Sequence, residues 1–181
     1  MDPRERLTDE LLVLRCQEGD VAAFEELVER WQQRLWRHAW RLTGDENAAW
    51  DALQETWIGI TRGLGRLIEP AAFPGWAYQI VSHKCRDWLR RHRRQRQIDE
   101  LYSAEVQESY EPAPNQEQYA SLKEALGQLS GPDRAILSLR YEDGFGTAEI
   151  GEILGVPEGT VKSRLFYARK RLRKYLEKDD E

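Results

Sequence analysis

Residues 147–172 read TAEIGEILGVPEGTVKSRLFYARKRL, two helical patterns broken at Gly155-Val156-Pro157. Glycine and proline so close together stop a helix and start another, so the spacing predicts helices over about 147–154 and 158–175 joined by a tight turn. That is helix-turn-helix spacing. In the second helix Val161, Leu165, Ala168 and Leu172 recur at i, i+4, i+7 and i+11 and face the preceding helices. The opposite faces carry Thr160, Lys162, Ser163, Arg164, Tyr167, Lys170 and Arg171. Small polar residues at the N-terminal end followed by cations suit a helix that enters the major groove, where hydroxyls and amides reach bases and cations neutralise phosphates.

Outward from this stretch, turn signals at Ser130-Gly131-Pro132 and Asp143-Gly144-Phe145-Gly146 divide the C-terminal part into four short helices. Upstream, Gln97 to Tyr119 holds six acids and no base, with SYEPAPNQ in its middle. Such a composition buries too little to fold alone and predicts a flexible linker, with helix resuming near Gln116. In the N-terminal part Asp20 is an N-cap for a helix whose apolar residues are Phe24, Leu27, Val28, Trp31, Leu35 and Leu42, ended by Gly44. Asp45 caps the next, with Leu53, Trp57, Ile60 and Leu64 on one stripe until Gly63, Gly65 and Pro70 break it. A loop from about Arg66 to Gly75 follows. A third long helix, roughly Phe73 to Arg94, is expected to bury Ala77, Ile80, Val81, Trp88 and Leu89. No stretch shows a sustained period of two. The fold class is therefore all-α: a helical bundle over 1–96, an acidic linker over 97–116 and a four-helix domain over 117–181.

Charge narrows the function. The net charge of -5 over 181 residues argues against nucleic acid until its distribution is read. From Lys84 to Arg96 seven cations face the single acid Asp87, and Glu158 to Lys174 is again dominated by Lys and Arg, so two cationic surfaces flank the anionic connector. Nothing approaches the length of a membrane span, and MDPRERLTDE lacks the apolar stretch of a secretion signal, so a cytoplasmic protein is expected. Cys16 and Cys85 are too few for a disulfide framework and read as reduced, packed thiols. His83, Cys85 and His92 on one basic helix do not converge as metal ligands, and no metal or other cofactor is expected. The chain shows no phosphate-cradling glycine loop and no paired nucleophile and base, so neither an enzyme nor a small-molecule substrate is expected.

The motifs resemble one family. TAEIGEILGVPEGTVKSRL is similar to the helix-turn-helix with which bacterial sigma factors read the minus-thirty-five promoter element. DALQETW, containing Asp51, Gln54, Glu55 and Trp57, resembles their polymerase-binding stretch. FPGWAYQIVSHKCRDWLRRHRR resembles the helix that opens and reads the minus-ten element. With two domains and a short linker the chain looks like an extracytoplasmic-function (ECF) sigma factor, and the resemblance runs from Val21 to Leu176.

The resemblance implies that Asp51, Gln54, Glu55 and Ile58 grip the clamp helices of core RNA polymerase, although the local sequence alone would read as a solvated amphipathic helix. It implies that Trp76, Tyr78, His83, Lys84, Arg86, Arg90 and Arg91 meet minus-ten DNA, that the Arg66–Gly75 loop holds a captured non-template base, and that the last helix reads the minus-thirty-five element. Phe73, Trp76 and Tyr78 beside cations have the ingredients for stacking unpaired bases, with Phe73 and Trp88 assigned to packing. His83 stands where many members have Asn, and Tyr167 where Arg is common. Implied partners are core RNA polymerase, promoter DNA and an anti-sigma factor able to hold the chain at a membrane, without direct membrane insertion. A linker of roughly 22 residues has a typical end-to-end distance of about 25 Å and a reach of about 75 Å, against roughly 70 Å for two turns of DNA. The rival readings are a duplex-binding activator or repressor, for which the first-half motifs have no use, and a protein-interaction module built on tryptophans, several of which lie at core spacing.

Overall fold

The structure, a computed structural model, describes residues 3–100, 126–127 and 129–176. Among these are seven helices: α1 (Pro3–Gln17), α2 (Val21–Thr43), α3 (Glu46–Gly63), α4 (Phe73–Glu100), α5 (Gly131–Tyr141), α6 (Thr147–Leu154) and α7 (Glu158–Leu176). Two 3-10 turns, Leu64–Arg66 and Pro70–Ala72, shape the loop between α3 and α4. The expected caps act where the sequence put them. Asp20 accepts from the Ala23 N–H at 3.1 Å and Asp45 from the Ala48 N–H at 2.7 Å, each satisfying an amide that the first turn leaves unpaired. Gly44 ends α2 in the left-handed region at φ 70°.

Trp31 is the centre of the N-terminal bundle, 1% exposed, with Phe73 and Tyr78 packed edge-on at 5.4 and 6.0 Å between ring centroids. Leu27, Leu35, Leu53, Ile60, Leu64 and Val81 fill the space around it. Each side chain of this size contributes roughly 1.5–3 kcal/mol when buried. Helix α1 has no counterpart in the sequence reading. It buries Leu12 and Val13 but exposes Leu7, Leu11 and Leu14, so its apolar residues never form one stripe.

Helix α4 departs from expectation at its far end. It continues through Glu100, past Arg94 and into the first residues expected as linker, because arginines and glutamines favour helix. The rest of the 97–116 linker lies outside the described residues. Having 28 residues, α4 outruns the 18-residue α3, which leaves Trp88 and Leu89 half-buried rather than buried. Ile80 is half-buried too.

In the C-terminal part Ser130 caps α5, its hydroxyl accepting from the Asp133 N–H at 3.3 Å, and Pro132 sits in the first turn. Ile136, Leu139, Ile150, Ile153, Val161 and Ala168 make its core. Of the first of the four expected helices only Leu126 and Gly127 are described as helical. The two halves do not stand apart: α5 lies on α2 and α6 on α4, and one apolar cluster runs through both.

Candidate nucleic-acid and polymerase surfaces

Three surfaces carry the expected site residues. The first is a groove of about 500 Å³ between α3 and α4, with Asp51, Gln54, Glu55 and Ile58 on one wall and Lys84, Trp88, Arg91 and His92 on the other. Asp51, Gln54 and Glu55 are exposed and Ile58 is 50% exposed. Lys84 crosses the groove to Glu55, Nζ to Oε2 at 2.8 Å. Lys84 was expected among the DNA-facing cations; in this structure its part-exposed side chain pairs with α3. Trp88 stacks on His92 at 4.7 Å and gives this wall a flat aromatic floor.

The second surface is the outer side of α4 with the loop before it. His83 Nδ1 lies 3.3 Å from Asp87 Oδ2, and Arg90 binds the other oxygen of Asp87 at 2.6 Å. Arg86, Arg90 and Arg91 are exposed. The loop is braced from α1, whose Gln17 amide donates to the carbonyls of Leu64 at 2.9 Å and Leu67 at 2.8 Å. Trp76 is half-buried against Phe73, and lies so close over Gly63 that any Cβ there would meet its ring at 2.7 Å. Phe73 is fully buried.

Tyr78 is the clearest departure. Expected to meet DNA, it is 2% exposed. Its hydroxyl donates to Asp143 Oδ1 at 3.0 Å, while its ring packs edge-on to Phe145 at 5.7 Å and His38 at 5.0 Å. Burial raises the phenol well above its ordinary range, and burial also raises the Asp143 carboxyl. Asp143, Arg41 and Ser138 are residues that the sequence reading passed over. An aspartate beside a glycine reads as a solvated turn, and no sequence signal marks it as a buried acceptor.

The third surface is α7. Three features fix its start: Thr147 donates to Glu158 at 2.6 Å, Glu158 binds Lys162 at 2.9 Å, and Gly155 turns the chain at φ 61° before Pro157. The Thr147 hydrogen bond, and then Lys162, lower the Glu158 carboxyl below its ordinary range. Lys162, Ser163, Tyr167, Lys170 and Arg171 are exposed, while Thr160 and Arg164 are half-buried. The Ser163 hydroxyl donates to the Thr160 carbonyl at 3.0 Å, and Arg171 lies 3.8 Å from Asp133. Phe166, 56% exposed and edge-on to Tyr167, also lies on this surface; its place just off the Val161–Leu172 stripe was the available signal.

Cys85 is buried beside the Ala39 carbonyl, and burial pushes its thiol up to about 12. It faces away from His83, which is exposed on the outer side of the same helix.

A helix-turn-helix with an exposed cationic second helix, on one chain with another cationic helix and a mixed-charge groove, is the arrangement of a DNA-binding protein. Residues 27–95 match the family described as sigma-70 region 2, and residues 119–172 match sigma-70 region 4. The chain is 37% identical over 172 residues to an ECF RNA polymerase sigma factor, SigE, of Mycolicibacterium smegmatis, covering 88% of this chain and 65% of that protein. It is 31% identical over 182 residues to the RNA polymerase sigma-H factor of Pseudomonas aeruginosa, covering 93% and 94%. The chain thus spans just under two thirds of the first relative and nearly all of the second. Its fold is similar to that of the sigma factor RpoE solved with the anti-sigma factor NepR from Bartonella quintana, with TM-score 0.67, 23% identity and coverage of 87% and 98%. The chain belongs to the sigma-70 family, among its extracytoplasmic-function members.

Proposed function

We propose that the chain is a promoter-specificity subunit that associates reversibly with core RNA polymerase, recognises two promoter elements and helps to open the minus-ten element. The observation that carries this reading is the order of the surfaces on one chain: the region 2 match holds the groove between α3 and α4 and the cationic face of α4, and the region 4 match holds the helix-turn-helix. A duplex-binding repressor needs only the last of these.

In this reading Asp51, Gln54, Glu55 and Ile58 meet the polymerase, with Trp88 and Arg91 completing the groove. His83, Lys84, Arg86, Arg90, Arg91 and Trp76 serve the minus-ten element. Thr160, Lys162, Ser163, Arg164, Tyr167, Lys170 and Arg171 serve the minus-thirty-five element. Strand opening draws on binding energy, because unstacking a base costs a few kcal/mol and aromatic stacking with backbone contacts offsets it. Such a subunit works in the cytoplasm, where polymerase and DNA are, and no described helix is long and apolar enough to cross a membrane. An anti-sigma factor is a fitting partner, since the similar chain above was solved with one.

The test is capture of core RNA polymerase by the purified protein, repeated with Asp51→Lys and Glu55→Lys combined. The second change also sets a lysine against Lys84, which now pairs with Glu55. Wild-type capture that the double variant loses, with new start sites in a run-off on a genomic fragment library, supports the reading. Specific duplex binding by the protein alone, without polymerase capture, would overturn it.

A further inference from the structure

We propose that the outward face of α1 is a self-association surface, through which two copies of this chain pair their α1 helices in parallel about a two-fold axis. The inference goes beyond the promoter-specificity reading and uses no residue which that reading assigns to DNA or polymerase.

Helix α1 carries two apolar stripes. One, with Leu12 and Val13, holds the helix on the bundle, and Asp9 on the same side is buried against Arg30 at 3.0 Å. The other has Leu7 and Leu11 each 61% exposed and Leu14 46% exposed. Their spacing of four and then three residues puts them in one line on the side of the helix opposite Leu12 and Val13. Leucines spaced in this way form the seam of a two-stranded coiled coil, with Leu7 and Leu14 at position d and Leu11 at position a. One exposed leucine needs no explanation, but three aligned on one helix form a patch that leaves water only when another surface meets it. The next a positions, Arg4 and Glu18, are charged, which limits the seam to these three leucines.

The charges beside the seam select a second copy as the occupant. In the register set by the leucines, half-buried Glu10 takes position g and exposed Arg15 takes position e. When two such helices run parallel, the g residue of one lies against the e residue five positions further along the other. Glu10 of each copy then meets Arg15 of the other, and the two-fold axis makes the contact twice. In an antiparallel pair g would face g and e would face e, setting acid toward acid and base toward base, so charge favours the parallel arrangement. Arg15 holds Asp20 through Nε at 3.0 Å and Nη2 at 2.7 Å, which fixes the guanidinium beside the seam and leaves Nη1 for the other copy. A free helix of 15 residues is marginal in water, but α1 is already packed on α2 and tied at its end by the Gln17 amide, so pairing orders no new backbone. A seam this short buries less than the roughly 1,200 Å² of a stable interface, so the dimer is weak and dissociates on dilution.

Sedimentation velocity of the full chain over a concentration series tests the pairing. The wild type should shift from monomer toward dimer as concentration rises. Leu11→Glu should stay monomeric throughout with an unchanged urea midpoint, because that leucine lies outside the core. Glu10→Arg and Arg15→Glu should each self-associate several-fold more weakly than wild type, since each sets like charges together twice. Mixed in equal amounts, these two should recover a dimer about as tight as wild type, because both contacts between unlike chains are then Arg against Glu. Should loss of the Arg15–Asp20 pair loosen the fold of Arg15→Glu, Leu11→Glu and Glu10→Arg still decide the matter. A wild type that is monomeric at every concentration, a Leu11→Glu chain that dimerises like wild type, or a mixture of folded charge variants no tighter than its components would overturn the pairing. None of these readouts involves polymerase or DNA, so failure of the pairing is distinguishable from failure of the sigma-factor reading, which the polymerase capture decides.

Discussion

The two cationic helices proposed above to meet DNA are built alike and presented oppositely. Both are helices with a buried stripe on one side and cations on the other. The face of α7 that carries Lys162, Tyr167 and Lys170 is open to solvent, whereas α4 loses Tyr78 to the interior and keeps Arg86, Arg90 and Arg91 exposed. A cationic helix can sit idle in water at little cost. An aromatic surface built to stack bases cannot stay exposed as cheaply, because apolar area left in water costs roughly 25 cal/mol per Å². The difference follows from composition: the helix with the aromatic side chains is the one whose inner face is covered.

The comparison can be broken at its strongest point. Trp31 supports Phe73 and Tyr78 from below, so Trp31→Ala should cost about 3–5 kcal/mol of stability, measured by urea denaturation, and loosen the covered surface along with its core. By contrast, Tyr167→Ala on the open surface should change stability by less than about 0.5 kcal/mol while altering promoter selectivity.

Between these extremes lies a pH effect centred on His38. This imidazole is wholly buried between Ser82, at 2.8 Å, and Tyr78, and burial lowers its pKa from 6.5 to about 3. Because the folded value is depressed, the folded chain binds fewer protons than the unfolded one below pH 6.5. Stability is therefore fully present above pH 6.5 and is lost as pH falls toward 3, by about 2 kcal/mol at pH 5. A His38→Gln variant, though less stable at neutral pH, should show a flatter denaturation midpoint between pH 7 and pH 5; an unchanged slope would mean that the histidine is not the titrating group.

The smallest effects sharpen the comparison at the open surface. Arg164→Ala should cost on the order of 1–3 kcal/mol at particular promoter positions if it reads a base, whereas Lys170→Ala should weaken all promoters alike and reduce the salt slope by roughly 0.9. Promoter binding by the polymerase-bound protein across a salt series separates the two.

Much of this was legible in the sequence for physical reasons. The caps at Asp20, Asp45 and Ser130 and the break at Gly155-Val156-Pro157 are local features, and local features set helix ends. The α7 stripe from Val161 to Leu172 separated buried from exposed residues because that helix has one packed side. What failed to show depended on contacts distant in sequence. Tyr78 and Asp143 are separated by 65 positions, and Arg41 and Glu142 by 101, so neither pairing leaves a periodic trace. Lys84 looked like one more cation in a basic run until α3 brought Glu55 to it. Helix α1 was hidden because it presents leucines both inward and outward.

The most direct measurement of the whole account is hydroxyl-radical footprinting of the aromatic side chains, first on the free chain and then on the chain bound to core RNA polymerase and a promoter fragment. The account predicts fast modification of Phe166 and Tyr167 and slow modification of Tyr78 and Phe145 in the free chain, with Phe166 and Tyr167 becoming protected in the complex as α7 meets DNA. Tyr78 reacting as fast as Tyr167 in the free chain, or a pattern unchanged by polymerase and promoter, would contradict it.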